Sequence, residues 1–192
     1  MSRIIAGAAG GISLASVPGD RTRPTTDRVK EALFSRLDSY GMLAGARVLD
    51  LFAGSGALGV ESASRGAAEV DLVELSEKAA GVCRKNAALV NKALGRTVVR
   101  VTRTGVLQFL DRLHSHDRWD LVLMDPPYPL PEAELAEVLG TVAPRLAAGG
   151  VVVVERSSRS PEPRWPAGLE RFAEKKYGET MLWYAEPVQA AG

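Results

Sequence analysis

Two stretches hold residue types whose order could do chemistry. The first, Val48-Leu49-Asp50-Leu51-Phe52-Ala53-Gly54-Ser55-Gly56-Ala57-Leu58-Gly59, begins as an apolar strand, breaks into glycines and resumes as a helix over Ala57–Arg65. Glycines at 54, 56 and 59 let the backbone turn sharply and leave no side chain between its amides and a ligand. The helix N-terminus behind them favours a ligand's negative end. Glu74 follows about twenty residues after the first glycine, where a second strand should end and an acid can meet a ribose. Asp50, inside the strand just before the loop, makes the pattern more specific than a bare G-x-G-x-x-G. The second stretch, Asp125-Pro126-Pro127-Tyr128, closes a later apolar strand. Its two prolines stiffen the backbone and remove two N–H donors. Asp125 and the Pro126 carbonyl are then acceptors with no donor between them, beside the ring of Tyr128. Such a trio suits a planar group bearing an –NH2: two acceptors for its hydrogens, one face to stack on.

The elements that must position these groups alternate from Arg47 onward. Strands are predicted over Arg47–Phe52, Glu69–Leu75, Thr97–Thr102, Trp119–Asp125 and Gly150–Glu155. Between them fall helices over Ala57–Arg65, Ser76–Asn91, Gly105–Leu113 and Glu132–Leu146. Strands such as Val151-Val152-Val153-Val154 are apolar on both faces, as a parallel sheet covered by helices requires. This alternation with short links predicts an α/β fold with a doubly wound, mostly parallel sheet. Leu169–Tyr177 and Glu179–Ala185, joined at Gly178, add an antiparallel pair and bring the sheet to seven strands. In that fold ligands sit beyond the carboxyl ends of the strands, near the switch point. The glycine loop after the first strand and the Asp-Pro-Pro-Tyr turn after the fourth should therefore be neighbours. Ahead of the sheet, Arg3–Ser16 reads as a hairpin turning at Gly10-Gly11, too short to be stable alone. Thr25-Thr26 offers an N-cap for a helix over about 26–38, with Val29, Ala32, Leu33 and Leu37 at helical spacing. The expected organisation is an N-terminal extension, 1–38, and a main domain, 39–192.

A chain of 192 residues with 46% hydrophobic content can bury a real core. Its formal net charge is only +1, so any contact with nucleic acid must be local. The single cysteine, Cys83, excludes an internal disulfide and suits a reducing cytoplasm. No apolar run approaches a membrane span. Cys83 lies mid-helix and reads as filler, and the pair His114 and His116 reads as a solvated turn without further metal ligands. No metal is expected.

The order Asp50-x-Phe52-x-Gly54-x-Gly56, Glu74 and Asp125-Pro126-Pro127-Tyr128 resembles the S-adenosylmethionine (SAM) methyltransferases that modify exocyclic amines of nucleobases. Arg23-Pro24-Thr25-Thr26-Asp27-Arg28-Val29-Lys30-Glu31-Ala32-Leu33-Phe34, Arg3-Ile4-Ile5 and Lys176-Tyr177-Gly178-Glu179-Thr180 narrow the likeness. Together they resemble the RsmD family of bacterial 16S rRNA guanine-N2 methyltransferases over nearly the whole chain. The chain departs from that family twice. Its hairpin reads Ala6-Gly7-Ala8-Ala9-Gly10-Gly11 where members usually carry basic residues. After the third strand it has Arg103-Thr104-Gly105-Val106, where related enzymes often place an Asp or Asn facing the adenine ring.

The resemblance implies a Rossmann-like class I methyltransferase using SAM and releasing S-adenosylhomocysteine (SAH). Its target would be the N2 amine of one guanine in 16S rRNA, the guanine-966 type, on the assembled small ribosomal subunit. Glu74, with Leu75 beside it, would hold the ribose end of the cofactor. Asp50, Phe52, Gly54 and Gly56 would surround the methionine end, with Thr26 and Arg28 closing over it and Asp125 bordering both ligands. Asp125, Pro126, Pro127 and Tyr128 would handle the target base. Residues 84–103 hold six basic side chains and no acid, but Lys92 and Arg96 should lie on the far side of the sheet. Better phosphate contacts are Arg21, Arg23, Arg156 and Arg159, on segments flanking the predicted mouth. The rivals are a DNA adenine-N6 methyltransferase, a SAM-binding regulator without catalysis, and a dinucleotide oxidoreductase. The chain is expected to be monomeric, with no membrane partner.

Overall fold

The computed structural model describes residues 2–19 and 26–189. Seven strands form one sheet: β1 (Arg47–Leu51), β2 (Glu69–Glu74), β3 (Val99–Arg103), β4 (Trp119–Met124), β5 (Leu146–Ser157), β6 (Leu169–Tyr177) and β7 (Thr180–Pro187). Their order is β3-β2-β1-β4-β5-β7-β6. The first five are parallel, and β7 runs antiparallel to both neighbours. The strand order turns back between β1 and β4, with β2 and β3 on one side and β5 on the other, so the switch point falls where the sequence predicts.

Side chains alternate across the sheet and build two cores. On one face Val48, Val70, Leu72, Leu121 and Leu123 pack with α1 (Asp27–Ser39), α2 (Ala57–Ser64) and α3 (Glu77–Leu94). On the other, Leu49, Leu51, Val73, Val122 and Met124 pack with α4 (Val106–Asp111) and α5 (Glu132–Val142). The Thr26 hydroxyl accepts the Val29 amide at 3.2 Å and caps α1.

Most element bounds shift by a few residues from the sequence reading, and four differences have an identifiable cause. β1 stops at Leu51 because Phe52 has φ +59°, the sole non-glycine with positive φ among the described residues. That conformation cannot continue a ladder. α5 stops at Val142 because Pro144 has no amide to donate backwards, and a short 3-10 turn follows over Ala143–Arg145. β5 starts early, at Leu146, then shifts register across Gly149-Gly150 before regular pairing from Val151.

The fourth difference concerns the N-terminal segment, which keeps one antiparallel bridge, Arg3 to Ser13, and forms no longer strands. Its amides are recruited by α2 instead. Ile5 and Ala6 donate to the Glu61 carboxylate at 2.9 and 3.2 Å, Ala8 to the Ser64 carbonyl, and Ala9 to the Ser64 hydroxyl. The Lys30 ammonium, buried, donates to the Arg3 carbonyl at 2.7 Å and lies 3.7 Å from Glu61. Gly7 has φ +86°, and a Cβ there would meet the Ser64 carbonyl oxygen at 2.0 Å. α2 is thereby buried on both sides, between sheet and N-terminal segment.

Candidate active site

The glycine loop and the Asp-Pro-Pro-Tyr turn leave adjacent strands at one rim. Leu51 of β1 is paired with Met124 of β4, so Phe52 and Asp125 start their loops side by side. Leu51 is also paired with Val73 of β2, which brings Glu74 to the same rim. Three acids, Asp50, Glu74 and Asp125, thus stand at the carboxyl ends of neighbouring strands.

The loop is held from below by side chains of both signs of polarity. Asp50 is buried, and its Oδ2 accepts the Gly59 amide at 3.0 Å, pinning the first turn of α2. Burial pushes its carboxyl well above the ordinary range, opposed by the Gly59 amide and aided by the Glu74 charge. Glu74 uses one oxygen on the Gly54 amide at 2.9 Å and the other on the Ser76 amide at 2.8 Å. Each carboxylate oxygen retains acceptor capacity after one such bond. Gly54 has φ +60° with open space where a side chain would stand. Gly59 has a different duty: a Cβ there would meet Leu72 Cδ2 at 2.2 Å, so it permits the close approach of α2 to β2.

Two α3 side chains also grip this loop: Cys83, which the sequence suggests is filler, and Asn86, which is not singled out from the sequence. Cys83 Sγ donates to the Gly54 carbonyl at 3.0 Å, and Asn86 Nδ2 donates to the Ser55 carbonyl at 2.8 Å. Both are buried on the face that carries Ala79, Ala80, Ala87 and Val90. A polar amide on an apolar helical stripe was the available signal.

The rim offers apolar surface as well. Leu75 is 66% exposed directly after Glu74, and Tyr128 is 70% exposed on the proline turn. After β3, Thr104 donates its amide to the Glu74 carbonyl at 3.1 Å. Gly105 lacks a side chain, and Gln108 fills that place: its Oε1 accepts the Gly105 amide at 3.2 Å and lies 3.1 Å from where a Cβ would be. Gln108 is a second polar group that the sequence reading missed.

The predicted phosphate contacts fare unevenly. Arg21 and Arg23 lie outside the described residues. Arg159 is exposed on the turn after β5. Arg156 must be corrected: it is on β5, 8% exposed, with Nη2 bonded to Glu132 at 2.7 Å and to the Leu130 carbonyl at 3.3 Å. A buried guanidinium committed to a carboxylate cannot serve as an open phosphate clamp. Its contacts instead fasten the segment following Tyr128 to the sheet. Arg28 is exposed on the first turn of α1, next to Thr26, whose hydroxyl serves the helix cap. Lys92 and Arg96 lie near the end of α3, at the opposite rim, as the direction of that helix requires.

Among the described residues, no group of three or more His, Cys, Asp or Glu could hold a metal, and no helix is long and apolar enough to cross a membrane. The residue types at this rim are compatible with SAM. Glu74 and Asp125 at adjacent strand ends suit a cationic sulfonium and ammonium, the open Gly54 turn leaves room for backbone contact, and Leu75 offers an exposed apolar neighbour.

Comparison with known proteins agrees. A family model described as "Conserved hypothetical protein 95" matches residues 2–186. Ribosomal RNA small subunit methyltransferase D of Haemophilus influenzae is 35% identical over 159 residues, covering 83% of this chain and 80% of that one. The Escherichia coli K12 protein of the same name is 32% identical over 179 residues, covering 92% and 85%. A solved structure described as "Putative methyltransferase yhhF from Escherichia coli" superposes with a TM-score of 0.80 at 31% identity, covering 97% of this chain and 98% of that one.

Proposed function

The chain belongs to the Conserved hypothetical protein 95 family, the RsmD methyltransferases of the sequence resemblance, and from that premise we propose that it transfers a methyl group from SAM to the N2 amine of a guanine in 16S rRNA. The observation that supports this reading is the Leu51–Met124 pairing, which puts the glycine loop and the Asp-Pro-Pro-Tyr turn on one rim. Relatives named for small-subunit rRNA methylation supply the substrate class.

SAM supplies a methyl group already activated on a sulfonium. What the protein must add is position and desolvation. The guanine amine is a poor nucleophile, because its lone pair is delocalised into the ring. The Asp125 carboxylate and the Pro126 carbonyl would accept its two N–H groups. That contact favours a pyramidal nitrogen with its lone pair aimed away from both acceptors. The bonds tighten as positive charge develops on nitrogen, the condition for catalysis beyond binding. One N–H proton is then lost, to solvent or through Asp125, after the C–N bond has formed. The base must leave its stack to reach this rim, and stacking on Tyr128 can return about 1–3 kcal/mol of that cost. Glu74 would take the ribose hydroxyls of the cofactor, and Thr26 and Arg28 would close over its methionine end.

The test is incubation with SAM and unmodified small ribosomal subunits, followed by nucleoside mass spectrometry. The expected product is N2-methylguanosine in 16S rRNA. No transfer to the subunits, or N6-methyladenine formed in a parallel incubation with unmodified DNA, overturns the reading. Asp125→Ala should lower turnover by about ten- to a hundredfold, the worth of one charge-assisted hydrogen bond. Its SAH affinity should stay near that of the unmodified protein, measured by calorimetry.

A further inference from the structure

One buried side chain ties the N-terminal segment to the glycine loop. Asn86, wholly buried on α3, donates through Nδ2 to the Ser55 carbonyl at 2.8 Å and to the Ala15 carbonyl at 3.0 Å. Its Oδ1 accepts the Ala15 amide at 2.8 Å. That amide can only donate, which fixes the end of the carboxamide that is oxygen. Both amide protons are thus committed, one to each segment. Packing of α3 on the sheet does not call for this group: an apolar side chain would fill the space without desolvating a carboxamide.

The loop side of this contact has a directional consequence. Cys83 and Asn86, one turn apart, draw two successive carbonyls, those of Gly54 and Ser55, down onto α3. A trans peptide carries its N–H opposite its C=O. The Gly54 carbonyl held by Cys83 turns the Ser55 amide away from α3, and the Ser55 carbonyl held by Asn86 fixes the peptide whose Gly56 amide closes the turn on the Ala53 carbonyl, so Asn86 braces the turn itself. On the other side, Ala15 follows the stretch that docks on α2 through Glu61 and Ser64.

We infer that Asn86 is a positioning residue that couples docking of residues 4–15 to occupation of the glycine loop by the cofactor. This rests on the cofactor reading above. A ligand that orders Ser55 tightens the Asn86 bonds and, through them, the N-terminal segment. By linkage, a docked segment strengthens cofactor binding to the same extent.

Calorimetry with SAH and amide hydrogen exchange on the full-length protein test this directly. SAH should slow exchange over residues 4–15, although these residues lie outside the proposed cofactor contacts. Asn86→Asp keeps size and the acceptor for Ala15 but loses both donors. It should raise the SAH Kd about tenfold, raise KM for SAM with little change in kcat, and abolish the SAH-dependent protection of 4–15. Gly7→Ala probes the coupling from the far end. Its Cβ would strike the Ser64 carbonyl, so the segment undocks and Asn86 loses its Ala15 partners while the residues of the loop and Asn86 itself stay unsubstituted. SAH affinity should fall several-fold there too. The inference is overturned if folded Asn86→Asp binds SAH within twofold of the unmodified protein. It is equally overturned if Gly7→Ala loses protection over 4–15 yet binds SAH normally. Absence of SAH binding by the unmodified protein would overturn the cofactor reading instead, and the coupling with it.

Discussion

Cys83 shows how burial changes the chemistry of a single residue. Its thiol is pushed up to about 12 from an ordinary 9.0, first by desolvation and then by the charges of Asp50 and Glu74. The unfolded chain gives up this proton from about pH 9, while the folded chain keeps it. The stabilisation is complete below pH 9 and is lost as pH rises towards 12, at up to ~1.4 kcal/mol per pH unit. Urea melts should therefore show the unfolding free energies of the native protein and Cys83→Ala converging between pH 8 and pH 10.5. Tyr184, also raised by burial, leaves a residual slope in both. Glu74 makes the complementary case. Its carboxylate braces the Gly54 and Ser76 amides and is the proposed ribose acceptor, so Glu74→Ala should raise the SAH dissociation constant about tenfold. Unchanged affinity by calorimetry would remove Glu74 from the site.

Among elements, the junction of β5 with the start of α5 decides where the proline turn sits. Arg156 reaches from β5 to the Leu130 carbonyl and to Glu132, the first residue of α5. Side chains of the pair are 5% and 20% exposed, so removing one partner strands the other. Arg156→Ala should cost about 3–5 kcal/mol of stability, the usual penalty for a buried charge left alone, read as a lowered midpoint in urea. Arg159, exposed one turn away, should behave in the opposite manner. Arg159→Ala should leave the midpoint unchanged and weaken rRNA binding, reducing the slope of log affinity against log salt by about one. The sequence shows a single cluster of basic residues after Glu155; the two arginines are told apart by whether a carboxylate from another element lies within reach.

For the whole molecule, both sheet edges carry charge. β6 exposes Glu170, Arg171, Glu174, Lys175 and Lys176, and β3 exposes Arg100 and Arg103. Charged edges discourage strand-to-strand association. Sedimentation should accordingly give a monomer across the micromolar range; a stable dimer would require a different face. The reactive rim, with its acids and exposed Leu75 and Tyr128, lies at the opposite end of the strands from Lys92 and Arg96. On the proposed function, RNA would be guided to that rim by residues on its own loops, and Arg159 is the exposed candidate.

Apolar periodicity and the glycine and proline breaks were enough to establish the strands, the helices and the shared rim of the two reactive loops. These are local properties: a residue's preference for strand or turn travels with its own side chain and its immediate neighbours, and parallel pairing of β1 with β4 then follows from right-handed crossovers. Only the tertiary structure decided that Arg156 is locked to Glu132, that Glu61 and Ser64 take the amides of the N-terminal segment, and that Asn86 joins that segment to the glycine loop. Those bonds link groups 24, 56 and 71 residues apart in the chain. A buried polar group takes whichever partner the packed elements bring within about 3 Å, and that proximity exists only once the layers have closed.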